Sequence, residues 1–204
     1  MKKILIASTN PGKIIEIETG LINLGKQNIK ILTLNDVIVE DKVPEESGDT
    51  FKENALIKAK FYANLTNLPV ISDDGGLVIP YLNNEPGVKS KRWLGKNATD
   101  LELINHALDN LRGCTGTQRK AYLETCLCFY NPKIKLIIYE MEKISGHIAE
   151  KPSQNPISGY PYRAIFIVDR FNKYYDDLTH KEHGKVNHRL MALKRLTKKI
   201  KDLI

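Results

Sequence analysis

The chain is short of the residues that mark several common protein classes. Among its 204 residues it has one tryptophan, five phenylalanines and three cysteines. Cys114, Cys126 and Cys128 make an odd count with no metal-like spacing. Neither a disulfide framework nor a structural zinc site is therefore expected, and a reducing cytoplasm is. Cys126 and Cys128 would share one face of a strand as packing residues. No apolar run approaches the ~20 residues that span a bilayer. The opening MKKILIAS places two lysines before apolar residues, but Thr9-Asn10-Pro11-Gly12 breaks that run without a cleavage-type segment. A first β-strand is the better reading than a signal peptide. The pattern GxxxxGK[ST] is absent, which argues against a P-loop NTPase. Internal repeats, low-complexity tracts and clear linkers are absent too.

What is present fits a soluble globular protein, with 42% hydrophobic and 27% charged residues. The length allows one sizeable core or two small lobes. A net charge of +7 raises polyanion binding. The lysines are scattered, however, apart from Lys194-Arg195 and Lys198-Lys199, and no aromatic-rich RNA signature accompanies them. A solvated basic face or a site for a small polyphosphate is expected, rather than a specific nucleic-acid partner.

Hydrophobic periodicity gives the coarse order. Residues 3–8 (KILIAS) read as a buried strand, followed by a turn at Asn10-Pro11-Gly12 and a helix with Ile14, Ile17, Leu21 and Leu24 on one face. A second strand spans 29–34 and a polar loop spans 36–48. Thr50-Phe51-Lys52-Glu53 is a capping box that opens a helix to about Asn64. A short strand, 69–72, ends in Asp73-Asp74-Gly75-Gly76. After a long loop, Thr99-Asp100-Leu101-Glu102 opens a helix to about Leu111. Segments 120–130 and 135–147 read as two long strands in an antiparallel hairpin. A Gly/Pro/Ser-rich loop covers 150–161, and 164–168 reads as a further strand. Thr179-His180-Lys181-Glu182 is a third, weaker capping box. A last helix starts near Asn187 or His188. Early parallel and late antiparallel pairing make a mixed α/β sheet with flanking helices.

Four places could carry chemistry. Ser8, Thr9, Asn10, Pro11, Gly12 and Lys13 lie at a strand-to-helix junction, where backbone N–H groups favour anions and Lys13 adds charge; an ordinary turn is the alternative. Asp73-Asp74-Gly75-Gly76 could present a hard-cation carboxylate, although as an isolated tetrapeptide it reads more readily as an Asp-Gly turn. On the helix from Thr50, Phe51, Asn54, Ala55, Lys58 and Tyr62 share one face. A lysine and an asparagine in an apolar stripe need polar partners, a phosphate or a carboxylate such as Asp74, unless Lys58 reaches solvent along its stem. His188 and Arg189 open the last helix as possible ligand contacts.

In order, STNPGK (8–13), SGDTFKENALIKA (47–59), SDDGGL (72–77), PGVKSKRW (86–93), GYPYRAIF (159–166) and NHRLMAL (187–193) closely resemble the inosine triphosphate pyrophosphatase family. The resemblance covers nearly the whole chain, residues 1–204, as a single domain of that type. It implies an elongated mixed α/β sheet with two lobes around a central cleft. It also implies hydrolysis of ITP, dITP and XTP to monophosphate and pyrophosphate, a requirement for Mg2+, and a homodimer. By the same resemblance Asp74 is the key carboxylate for metal and water, and Glu45 helps hold magnesium. Residues 8–13 cradle phosphates, and Lys58 is a further phosphate contact. Asn54, Gly75, Tyr160 and Tyr162 join the substrate site, and His188 and Arg189 read the base.

Three departures stand out. Gly75 replaces the serine that usually follows the second aspartate. Arg163 replaces an aspartate of the base-binding segment, reversing its charge. His183 stands where the family has a lysine, with Lys185 nearby as a substitute. Rival readings are a related Maf-type pyrophosphatase acting on other nucleotides, and a non-catalytic nucleotide- or RNA-binding protein on the same scaffold.

Overall fold

The computed structural model describes residues 2–25, 28–37, 43–95 and 98–203. Part of the loop expected over 36–48, and the side chain of Leu24 on the first helix, lie outside the described residues. Strand β1 (Lys2–Ala7) leads into helix α1 (Pro11–Gly25) and then strand β2 (Ile29–Thr33). Strands β1 and β2 pair in parallel, with Lys2 opposite Ile29, as the strand–helix–strand order requires. Helix α2 (Phe51–Thr66) follows, and strand β3 (Val70–Ile79) pairs in parallel with β1. The two-residue strand β4 (Glu85–Pro86) pairs antiparallel with β3. Helix α3 (Asp100–Asn110) precedes the long strands β5 (Lys120–Asn131) and β6 (Leu136–Ile148). Strand β7 (Phe166–Val168) pairs antiparallel with β6 and with β8 (Lys173–Tyr174), and helices α4 (His180–Val186) and α5 (His188–Ile200) close the described chain. The strand order is β2-β1-β3-β5-β6-β7-β8, with β4 on β3, so the fold is an open mixed α/β sheet with helices.

Local chemistry accounts for most boundaries. Thr50, Thr99 and Thr179 each accept from the backbone N–H three residues on, and Glu53, Glu102 and Glu182 return the bond. All three expected capping boxes therefore form, each stabilising a helix start by ~1 kcal/mol. Two expectations are corrected. Asp73-Asp74-Gly75-Gly76 is not a turn, because β3 runs through it to Ile79. The reason is tertiary: a Cβ on Gly76 would collide with Ser90, so glycine lets the 3-10 segment Gly87–Arg92 lie directly on the strand. Ser90 Oγ accepts from Leu77 N at 3.0 Å and donates to the Gly87 carbonyl at 2.6 Å. The strand expected at 164–168 is shorter, since Pro161–Ile165 forms a 3-10 turn first.

The chain divides into two compact units, each discontinuous in sequence. One comprises Met1–Asp74, Thr125–Glu142 and Arg189–Ile204, and the other Gly75–Glu124 and Lys143–His188. The first unit buries Ile4, Ile6, Ile17, Leu21, Ile71, Leu127, Phe129, Leu193 and Leu196 in one cluster. The second buries Leu77, Ile79, Leu103, Ile104, Tyr162, Ile165, Phe166 and Tyr175 in another. In the second unit the buried Arg119 guanidinium donates to the carbonyls of Ile148 (2.6 Å), Leu111 (2.9 Å) and Ala149 (2.5 Å), a structural role that nothing in its local sequence signals.

Candidate active site

The first unit gathers two aspartates, two lysines and an arginine at the middle of β3. Alternation along the strand gives Asp73 and Asp74 different surroundings. Asp73 is 2% exposed. Its Oδ2 meets Lys13 Nζ at 2.6 Å, and its Oδ1 accepts from Arg189 Nε at 3.1 Å and from the Thr125 hydroxyl. Arg189 also pairs with Glu16 of α1. Burial alone would raise the Asp73 pKa, but Arg189 and Lys13 outweigh it and hold the carboxyl well below the usual range.

Lys13 moves the other way. Burial lowers its pKa, and the neighbouring cations Arg189 and Lys58 add to this, against the pull of Asp73. Asp73 already shares its charge with Arg189, so Lys13 is the less compensated cation, a suitable partner for an arriving anion.

Asp74 faces helix α2. Lys58 Nζ donates to its Oδ1 at 3.2 Å and pairs with Glu46 at 3.0 Å. The Ser72 hydroxyl donates to the Ala55 carbonyl at 2.5 Å, which ties α2 to β3 one turn from Lys58. The Asp74 Oδ2 is buried and has no hydrogen-bond partner among the described residues. Burial raises the Asp74 pKa, and Lys58 offsets only part of this. Burial opposes charge on Lys58 too, but Asp74 and Glu46 prevail and raise its pKa.

The fit to a hard divalent cation rests on these residues. Asp74, Glu46 and Lys58 sum to one negative charge, and Asp74 Oδ2 is an oxygen ligand whose burial is uncompensated. Both features suit Mg2+ held by Asp74 with Glu46. Among the described residues, no group of three or more His, Cys, Asp or Glu side chains stands ready-made for a metal. Two carboxylates with substrate oxygens completing the shell is a common magnesium arrangement.

Other expected residues fall as follows. Glu45, expected to help hold magnesium, is exposed, and its neighbour Glu46 pairs with Lys58. The phase of an irregular loop cannot be read from sequence, so which of the two carboxylates meets Lys58 is known only from the structure. Asn54 is fully buried as the helix-face argument required. Its Oδ1 accepts from Gly48 N at 2.8 Å, and its Nδ2 has no partner among the described residues. At the start of α1, Asn10 Oδ1 accepts from Gly12 N at 2.9 Å and Lys13 N at 3.2 Å, so two N–H groups expected to meet phosphate are capped internally. Ser8 is part-buried, its Oγ accepting from Asn10 N at 3.3 Å. Thr9 and Pro11 are exposed.

In the second unit, the Arg163 guanidinium stacks 3.5 Å from the Tyr160 ring centroid and 4.7 Å from that of Tyr175. Tyr162, expected as a ligand contact, is buried, and its hydroxyl donates to the Ser90 carbonyl at 2.6 Å. His183 packs edge-on to Tyr175, and its ring lies 3.4 Å from Asn187 Nδ2. Lys185 is exposed, His188 is buried, and Gly75 continues β3. Arg189, expected at the base, is in the structure an ion-pair partner of Asp73 and Glu16.

Known proteins resemble this chain over nearly its whole length. The Ham1 family model matches residues 4–199. A dITP/XTP pyrophosphatase of Thermoanaerobacter sp. is 36% identical over 194 residues, covering 95% of this chain and 94% of that protein. One from Thermus thermophilus is 36% identical over 200 residues, covering 98% and 92%. The solved structure of a HAM1 protein from Coxiella burnetii is similar at a TM-score of 0.86 and 34% identity, covering 99% of this chain and all of that one.

Proposed function

The chain belongs to the Ham1 family, and on that premise we propose that it is a nucleoside triphosphate pyrophosphatase hydrolysing non-standard purine nucleotides. The substrates are ITP, dITP and XTP, and the products are the monophosphate and pyrophosphate. The observation that carries the chemical assignment is Asp74: a buried carboxylate with one oxygen on Lys58 and the other unpartnered among the described residues.

In this reading Asp74 takes the proton of the attacking water as its oxygen joins a phosphorus of the triphosphate. The α–β anhydride bond breaks and pyrophosphate leaves. Lys13 and Lys58 supply positive charge as negative charge gathers on the phosphate oxygens. Magnesium, when bound by Asp74 and Glu46, contributes Lewis-acid stabilisation of those oxygens. Asp73, with Arg189, sets the position of Lys13 and is not itself the base. Asn54 holds the loop by Gly48, the residue two before the Thr50 cap, where a side chain would strike Glu53 Cβ (2.6 Å) and Asn54 Oδ1 (2.9 Å). Tyr160, Arg163, His188 and Lys185 are assigned to the base side of the substrate.

The reading extends to a homodimer in the cytoplasm. The free thiols of Cys114, Cys126 and Cys128 suit a reducing compartment, and burial pushes Cys126 and Cys128 up to about 12, so both stay inert thiols. No helix among the described residues is long and apolar enough to cross a membrane. The test is pyrophosphate release from ITP, dITP, XTP, GTP and ATP, with magnesium and after chelation. The expected result is magnesium-dependent release with the highest kcat/KM for ITP, dITP or XTP. Full activity after exhaustive chelation, or preference for ATP, would contradict it.

A further inference from the structure

Asp176 carries a second buried carboxylate oxygen without a partner, and it lies in the second unit. The residue sits in the 3-10 turn Tyr175–Asp177, beside the ring on which Arg163 stacks. Its Oδ2 accepts from the Ile157 N–H at 3.2 Å, which fixes the carboxylate against the loop that also carries Tyr160. Its Oδ1 is buried and has no hydrogen-bond partner among the described residues. Burial dominates and pushes its pKa up to about 6, against the Ile157 N–H and then the Arg163 charge, which favour the ionised form. A carboxylate oxygen left unmatched in this way is costly unless a donor arrives.

The surroundings narrow what that donor is. Tyr160, the Arg163 guanidinium and Tyr175 form a stack of flat groups, the kind of surface that receives a planar heterocycle. An ionised carboxylate only accepts, so the ring must bring an N–H. Hypoxanthine, xanthine and guanine carry N1–H beside the 6-oxo group. Adenine presents a bare N1 lone pair, which would face the carboxylate oxygen without a proton between them.

We propose that Asp176 is a specificity-determining residue whose Oδ1 accepts the N1–H of a 6-oxopurine. This rests on the pyrophosphatase reading above and adds to it the group that rejects adenine. Arg163 complements it as a donor-only group suited to the 6-oxo oxygen. Asp176 does not discriminate against guanine, which shares N1–H.

The test compares kcat/KM for ITP and ATP in the wild type, Asp176→Asn and Asp177→Asn, and compares ITP with 1-methyl-ITP in the wild type. Asn has a single acceptor oxygen: while that oxygen accepts from Ile157 N–H, the amide NH2 takes the place of Oδ1, where it meets the bare N1 of adenine and opposes an N1–H. The ITP-to-ATP ratio should therefore narrow by about tenfold or more in Asp176→Asn, the scale of one hydrogen bond to a charged group. It should be unchanged in Asp177→Asn, which is exposed. The wild type should use 1-methyl-ITP about tenfold less well than ITP, since the methyl group removes the donor. That arm needs no variant and stands even if Asp176→Asn fails to fold. An unchanged ratio in folded Asp176→Asn, or equal use of 1-methyl-ITP and ITP, overturns the assignment of Asp176 while leaving the pyrophosphatase reading intact. A wild type that releases pyrophosphate from none of the triphosphates overturns the pyrophosphatase reading itself.

Discussion

Asp73 and Asp74 are adjacent on one strand and have opposite fates. The Asp73 side is saturated: two cations and a hydroxyl meet its two oxygens, and its carboxyl is held well below the ordinary range. The Asp74 side is incomplete: one lysine meets one oxygen, the other oxygen is buried without a partner, and the pKa is raised. A saturated carboxylate holds structure. An unsaturated one is ready for water, a metal or a proton. The two-residue period of the strand separates these roles within a single dipeptide.

The largest expected effect falls on the saturated side. Asp73→Asn leaves Arg189 and Lys13 buried without their shared anion, and the loss should be ~3–5 kcal/mol of unfolding free energy, as for other broken buried pairs. Chemical denaturation measures it, and a change below ~1 kcal/mol would break the contrast. Arg189→Ala should behave in the same way and slow ITP and ATP alike, because its guanidinium serves Asp73. A selective change in the ITP-to-ATP ratio would return Arg189 to the base.

Next in size is a pair of lysines on one helix. Lys58 reaches Asp74 and Glu46, whereas Lys52 is exposed and lies over the Tyr139 ring. Lys58→Met should reduce turnover by ~100-fold, the scale of a lost electrostatic contact in a reacting site. Lys52→Met should leave turnover near wild type, and equal kinetic effects would remove the distinction.

Acid should weaken the Asp73 side in a defined direction. Its folded pKa lies below the unfolded value of ~3.9, so its stabilisation is present above that value and is lost as pH falls through the folded pKa. Asp73→Asn should flatten this part of the stability–pH curve, measured by thermal unfolding from neutral pH downward. A curve parallel to wild type would contradict the pairing. The smallest expected effect is on metal affinity: Glu46→Gln should raise the magnesium concentration for half-maximal rate, and Glu45→Gln should not.

Much of this was legible in the sequence because it is local. The three Thr-x-x-Glu boxes formed, and the polar Asn54 and Lys58 in an apolar stripe led correctly to a buried helix face and to Asp74 as partner. What was missed is set by distant contacts. Asp-Asp-Gly-Gly has the composition of a turn, yet β3 runs through it, pairing with β1 before it and β4 after it, and Gly76 leaves room for Ser90 against the strand. Arg189 is 116 residues from Asp73, and no spacing rule connects them. Asp176 carries no local signal, because its setting depends on Ile157, 19 residues away, and on the charge of Arg163. The loop ending in Glu45-Glu46 has no period, so which carboxylate meets Lys58 was beyond local reasoning.

The most direct test of the division between the two aspartates is the turnover of Asp74→Asn at saturating magnesium, measured as pyrophosphate released from ITP per folded molecule. The substitution keeps the shape and removes the charge and the proton acceptor. The expected result is a loss of ~100-fold or more, with the unfolding midpoint held or raised because a buried charge has gone. Near-normal turnover by a folded Asp74→Asn protein would contradict the account.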